Sequence, residues 1–343
     1  MKSSTEMAKC INKRIAHSNR YGIPLSPHPP IPTSPITHHP SPTPHHLPPT
    51  THHLPPITHH LSLFLLLLLL AGCYEPRESC ADINAVNFAV DADRPCPNCC
   101  LYPVLRIAVE HKVSDASNAP NLVYADSVYR DGAGNAFRVR DIRFYVSNVR
   151  LVRADGSEVH PQDSLELPIR LPDGSRERRN ISKNIALVNR STFTPYNMGT
   201  FITAGAFTHI RFTLGLSDIA NQTDRAALPD SLNSHPLASE AMYINPNNGY
   251  IFNRLQIFEN LLLTDTTFST IAISGPAARR EVELPLPASL IEGFNVRVTL
   301  RINYLRWFAN VNLKNDPPAT LATKLIDNAT NSFAVTNVLL EIQ

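Results

Sequence analysis

From Leu105 the chain alternates. Leu105, Ile107, Val109, His111 and Val113 take one side and Arg106, Ala108, Glu110 and Lys112 the other, a period of two that predicts a strand with one apolar face. Phe294, Val296, Val298, Leu300, Ile302 and Tyr304 repeat the pattern against Asn295, Arg297, Thr299, Arg301 and Asn303. Further strand candidates are Phe137 to Val152, Phe201 to Leu216, Gly249 to Thr264, Glu281 to Leu286 and Ser332 to Ile342. Turn signals stand at Asp131-Gly132, Asp155-Gly156 and Asp173-Gly174, and long helical periodicity is absent. Residues 104–343 are therefore expected to form an all-β domain, a two-sheet antiparallel β-sandwich. At about 240 residues it can bury an ample core.

Upstream the pattern changes character. Ten of the 14 histidines precede residue 61, and His-His pairs recur every seven residues at His38-His39, His45-His46, His52-His53 and His59-His60. Prolines in each unit remove helical donors, and the apolar residues are too few to make a core, so residues 1–60 read as a disordered, low-complexity leader. A His-rich tract can also chelate metal. Leu61 to Gly72 is then an unbroken apolar run, too short to span a ~30 Å hydrocarbon core but right for a signal-peptide h-region. It ends at Leu70-Ala71-Gly72-Cys73, which matches a bacterial lipobox, so residues 61–73 are expected to direct export with Cys73 as the lipidated N-terminus. One departure is that no Lys or Arg occurs between Arg20 and Arg77. Tyr74 rather than Asp follows Cys73, which in the simplest sorting rule permits an outer-membrane destination.

Charge narrows the function classes. A formal net charge of +2 with 17% charged residues offers no basic field for nucleic acid. No G-x-S-x-G elbow, H-E-x-x-H helix, phosphate loop or dinucleotide fingerprint is present, so a binding module is expected rather than an enzyme.

Between anchor and domain, residues 74–103 are rich in cysteine: Cys80, Cys96, Cys99 and Cys100. In an oxidising compartment four cysteines predict two disulfides, with three pairings open. The neighbours Cys99 and Cys100 are poorly placed to bond to each other, so each is expected to reach back to Cys80 or Cys96. The C-x-x-C spacing of Cys96-Pro97-Asn98-Cys99 admits zinc as an alternative.

Four histidines lie beyond the leader. His111 sits on an apolar strand face, where a neutral imidazole needs a hydrogen-bond partner or a metal. His209 falls opposite the row Thr208, Ile210, Phe212 and Leu214 and His160 lies near a strand end, so both read as surface residues. His235 precedes the loop AMYINPNNGYIF, whose Tyr243, Asn245, Asn247 and Asn248 are candidate contacts for a ligand or partner.

Several of these segments resemble the MbnP-like family of methanobactin-associated copper-binding proteins. VEHKV resembles the family's F-x-H strand, GNAFRVRDIRFYVSNVRLVRADGSEV its YxxSNxxL block, HIRFTLGLSDIANQ the strand before its variable loop, and LRWFANVNL a late WF strand. Together they cover roughly Arg106 to Val335. The resemblance implies copper as the cofactor, with His111 as one ligand and His235 or His209 completing the set. It also implies a partner like a dihaem oxidase, which converts a Trp of the loop to kynurenine in some members. Here Met242, Gly249 and Tyr250 match the family's loop, while Ile244 and Pro246 stand where it has two Trp. The alternative is a surface lipoprotein of the same fold that binds a protein or glycan through its loops, without metal.

Overall fold

The computed structural model describes residues 76–258, 260–264 and 266–342, so the His-rich leader, the h-region and Cys73 lie outside the described residues. In chain order the strands are β1 (Glu78–Ser79), β2 (Arg94–Pro95), β3 (Val104–Lys112), β4 (Val128–Arg130), β5 (Ala136–Val152), β6 (Glu158–Val159), β7 (Ser164–Arg170), β8 (Arg176–Ser182) and β9 (Ile185–Asn189). There follow β10 (Tyr196–Thr200), β11 (Gly205–Leu214), β12 (Tyr243–Asn245), β13 (Gly249–Phe258), β14 (Phe268–Ser274), β15 (Arg280–Leu290), β16 (Asn295–Asn303) and β17 (Phe333–Glu341). Two α-helices are described, α1 (Asp218–Asn221) and α2 (Pro318–Thr330).

Alternation on the strands becomes two facing sheets. The smaller runs β10-β3-β16-β17, and the larger follows β12-β13-β5-β11-β15 with β4, β6 and β9 added along β5 and β14 beside β13. The apolar row of β3 is buried at Leu105, Ile107 and His111, as that of β16 is at Val296, Val298, Leu300 and Ile302. Between the sheets, Phe333 of β17 meets Phe144 of β5 and Phe212 of β11 edge-on, with ring centroids 6.2 and 5.2 Å apart. Edge-to-face aromatic contacts of this kind add to the area they bury, so they fix the stacking of the sheets as well as its strength. The whole core lies within Cys73–Gln343, one compact unit. A unit that carries its own hydrophobic core meets the condition for folding alone.

Three local expectations are corrected. The smaller sheet is mixed: β3 and β16 run parallel, from Leu105 opposite Val296 to Lys112 opposite Asn303. The chain between them builds the larger sheet and returns in the same direction, a crossover that no local turn signal announces. Helix α2 was not expected; Leu321, Leu325, Ile326 and Ala329 form its buried stripe. The stretch LRWFANVNL does not begin as a strand, because Tyr304–Phe308 coils into a 3-10 turn capped by the Asn303 side chain, which accepts the Leu305 N–H at 3.2 Å. Trp307 and Phe308, neighbours in this turn, are both buried.

The cysteine-rich segment packs against the sandwich. The Gly293 turn lies against the carbonyls of Ile83 and Ala85, and the Phe201 N–H donates to the Pro103 carbonyl at 2.7 Å. A disulfide joins Cys80 to Cys100, whereas Cys96 and Cys99 are thiols, so the expected second disulfide is not formed. The Cys99 thiol turns onto the Cys96 carbonyl, donating at 2.9 Å.

Candidate functional site

His111 is placed by β3 with its ring turned inward and is only 8% exposed. Its Nδ1 lies 2.8 Å from the Tyr304 hydroxyl, and the two rings are nearly parallel, 8° between planes. The other ring nitrogen, Nε2, is buried without a hydrogen-bond partner. Burial, helped by the positive charge of Arg190, holds the imidazole pKa down to about 4, so it is neutral at pH 7. Tyr304 is buried too, and its phenol is pushed far above the ordinary range, so it remains an O–H group.

This pairing can exist as two tautomers. If the Tyr304 hydroxyl donates to Nδ1, Nε2 carries the proton and is an orphaned donor. If Nδ1–H donates to the Tyr304 oxygen, Nε2 presents a free lone pair, the form a metal ion requires. Tyr304 would then orient the ligand as outer hydrogen-bond partners commonly do. The donor chemistry therefore fits an imidazole ligand at Nε2. Among the described residues no three His, Cys, Asp or Glu side chains gather to hold a metal.

The other two candidate histidines occupy different elements. His209 lies on β11 in the larger sheet, its Nδ1 3.0 Å from the Thr208 hydroxyl and its Nε2 3.9 Å from Glu283. It forms the rim of a charge ladder in which Arg211 bridges Glu158 and Glu283, and Arg150 bridges Glu158 and Glu281. His235 caps the 3-10 turn Pro236–Ala238, where its Nδ1 accepts the Leu237 N–H at 3.2 Å. Burial and the nearby Lys183 lower its pKa. Its side chain lines a groove of about 480 Å³ with Asp163, Lys183, Tyr196 and Asn197. No described contact joins His111 to His209 or to His235.

The loop AMYINPNNGYIF is a hairpin that closes on itself. Asn245 Oδ1 accepts the N–H groups of Asn247 and Asn248, both at 2.9 Å, so that side chain is committed to the turn. Gly249 follows with φ +67°, and a Cβ there would meet the Asn221 backbone oxygen at 2.3 Å. Only glycine fits that approach. Beneath the turn, Tyr250 donates its hydroxyl to the Leu237 carbonyl at 2.7 Å. Asn247 and Asn248 are exposed, while Tyr243 is half-buried with its hydroxyl unpartnered.

Tyr304 is the residue that reading the sequence for function missed. It appeared only as the last member of an apolar row. A hydroxyl at the end of such a row was the available signal, but its pairing with His111 spans 193 positions of sequence.

A family model described as MbnP matches residues 103–324. Among solved structures, MbnP from Methylosinus trichosporium is similar at 17% identity over 61% of this chain and 77% of that chain, with a TM-score of 0.31, a likeness too distant to draw on. No curated protein matches.

Proposed function

The chain belongs to the MbnP family, and from that premise we propose that it is a lipid-anchored protein of the bacterial cell envelope that binds copper and is not an enzyme. His111 supplies an imidazole donor to the ion through Nε2, with Tyr304 orienting the ring. The observation that carries the reading is the partnerless Nε2 of a buried, neutral histidine on a strand inside the matched region. Imidazole suits copper, and neutrality at pH 7 spares the cost of expelling a proton on binding. Any further donors, His235 or His209 among them, would have to reach this nitrogen. Copper here would act as a bound ion held by the fold.

The dihaem-type partner that the resemblance implies would find no indole in the loop, where Ile244 and Pro246 stand. The chain's one Trp, Trp307, is 1% exposed. Copper binding without kynurenine follows. The second reading, a partner-binding surface lipoprotein, is favoured by the exposed Asn247 and Asn248 at the hairpin tip.

Isolation from the envelope fraction tests anchor and cargo together. The N-terminal peptide should begin at Cys73 and carry acyl chains, which by the two-chain rule give stable anchoring. The same material should contain copper. An intact segment from Met1 to Gly72 would sink the anchor, and metal-free protein that takes up no added copper would leave the partner-binding reading standing.

A further inference from the structure

Cys96 and Cys99 are the thiols among the described residues, both half-buried. They sit at the two ends of one turn: Cys96 precedes and Cys99 closes the 3-10 turn Pro97–Cys99. Cys99 N–H and Cys99 Sγ both donate to the Cys96 carbonyl, at 3.2 and 2.9 Å. Outside contacts fix the turn. Cys100 is disulfide-bonded to Cys80, Cys96 N–H donates to the Ser79 carbonyl at 3.0 Å, and Asn87 Nδ2 donates to the Cys99 carbonyl at 2.7 Å.

We propose that Cys96 and Cys99 form a soft-cation site that takes one Cu(I) between their two sulfurs, separate from His111 and independent of it. Thiolate sulfur selects Cu(I), zinc or iron–sulfur clusters. Structural zinc asks for four ligands, and the described residues offer no group of three at this place or elsewhere. Cu(I) accepts two, which is the number the turn presents. On binding, both S–H bonds break, two Cu–S bonds form and two protons leave to solvent; the copper stays Cu(I) and no electron moves. With two protons released per ion, affinity falls by about 100-fold for each unit the pH is lowered while both thiols are protonated.

The test uses residues 74–343 prepared without oxygen. Alkylation of the unreduced, denatured protein should label Cys96 and Cys99 and no other cysteine. Competition against a Cu(I) chelator should give one equivalent of thiolate-bound copper, read by its thiolate-to-copper absorption in the ultraviolet, and that absorption should be lost in Cys96→Ser and in Cys99→Ser but kept in His111→Ala. An S–S bond between Cys96 and Cys99 in freshly isolated protein would overturn the proposal, as would Ser variants that keep the full stoichiometry and absorption. Copper lost only in His111→Ala would overturn it too, while leaving the copper reading of the family site intact.

Discussion

Trp307→Ala is expected to destabilise the domain by roughly 3–5 kcal/mol, the range for removing a large aromatic from a core. The indole is 1% exposed and sits where three elements meet. Its ring lies 5.3 Å from Phe144 on β5 and 5.4 Å from Tyr304, and its Nε1–H donates to the Ser332 hydroxyl at 2.8 Å. Ser332 in turn donates to the Ala329 carbonyl of α2 at 2.7 Å. Truncation therefore opens a cavity and also leaves a buried hydroxyl short of a donor. Because Tyr304 packs on the same ring, the His111 pair should loosen as well. Urea unfolding followed by circular dichroism measures the loss. A midpoint within error of wild type would show that Trp307 is not the junction described here.

Acid should act through His111. Its folded pKa of about 4 lies below the 6.5 of a free imidazole, so the native state resists the proton that the unfolded chain accepts. The sign follows. Stability from this group is fully present above about pH 6.5, is lost as the pH falls, and is gone below about 4, for a total of about 3 kcal/mol at 1.36 kcal/mol per unit. His235, also depressed by burial, contributes in the same direction. The lowered carboxylates, such as Asp131 with its four N–H donors, act at more acid pH, where protonation removes their hydrogen bonds. Unfolding free energies measured from pH 7.5 to 4 should fall steeply for wild type and much less for His111→Asn. Parallel curves for the two proteins would contradict the buried, neutral imidazole.

Much of the sandwich was legible because its strands are long and one-sided. Phe137 to Val152 marks β5 to within one residue, and the apolar rows of β3 and β16 include the buried Leu105, Ile107, Val296, Val298, Leu300 and Ile302, although Asn295 and Asn303 of the polar row are buried as well. What escaped lacked a local signal. Helix α2 starts at Pro318 behind Pro317, with no Ser, Thr, Asp or Asn side chain capping it, so the usual start mark is missing. Strands β7 and β8 flank the recognised Asp173-Gly174 turn, but Arg176, Glu177, Arg178 and Arg179 hide the strand in charge. The parallel pairing of β3 with β16 depends on the whole path between them. The site divides in the same way. His111 stands out as a candidate because a polar residue breaks an apolar row, while its pairing with Tyr304 depends on tertiary geometry.

The most direct measurement of the central claim is equilibrium dialysis of residues 74–343 against copper, made in a Cys96→Ser, Cys99→Ser background so that the thiols are silent. The protein with His111 should hold copper, and the same protein carrying His111→Ala should hold none, with its fold confirmed by an unchanged circular dichroism spectrum at pH 7.5. Equal copper stoichiometry with and without His111 would show that its Nε2 is not the donor.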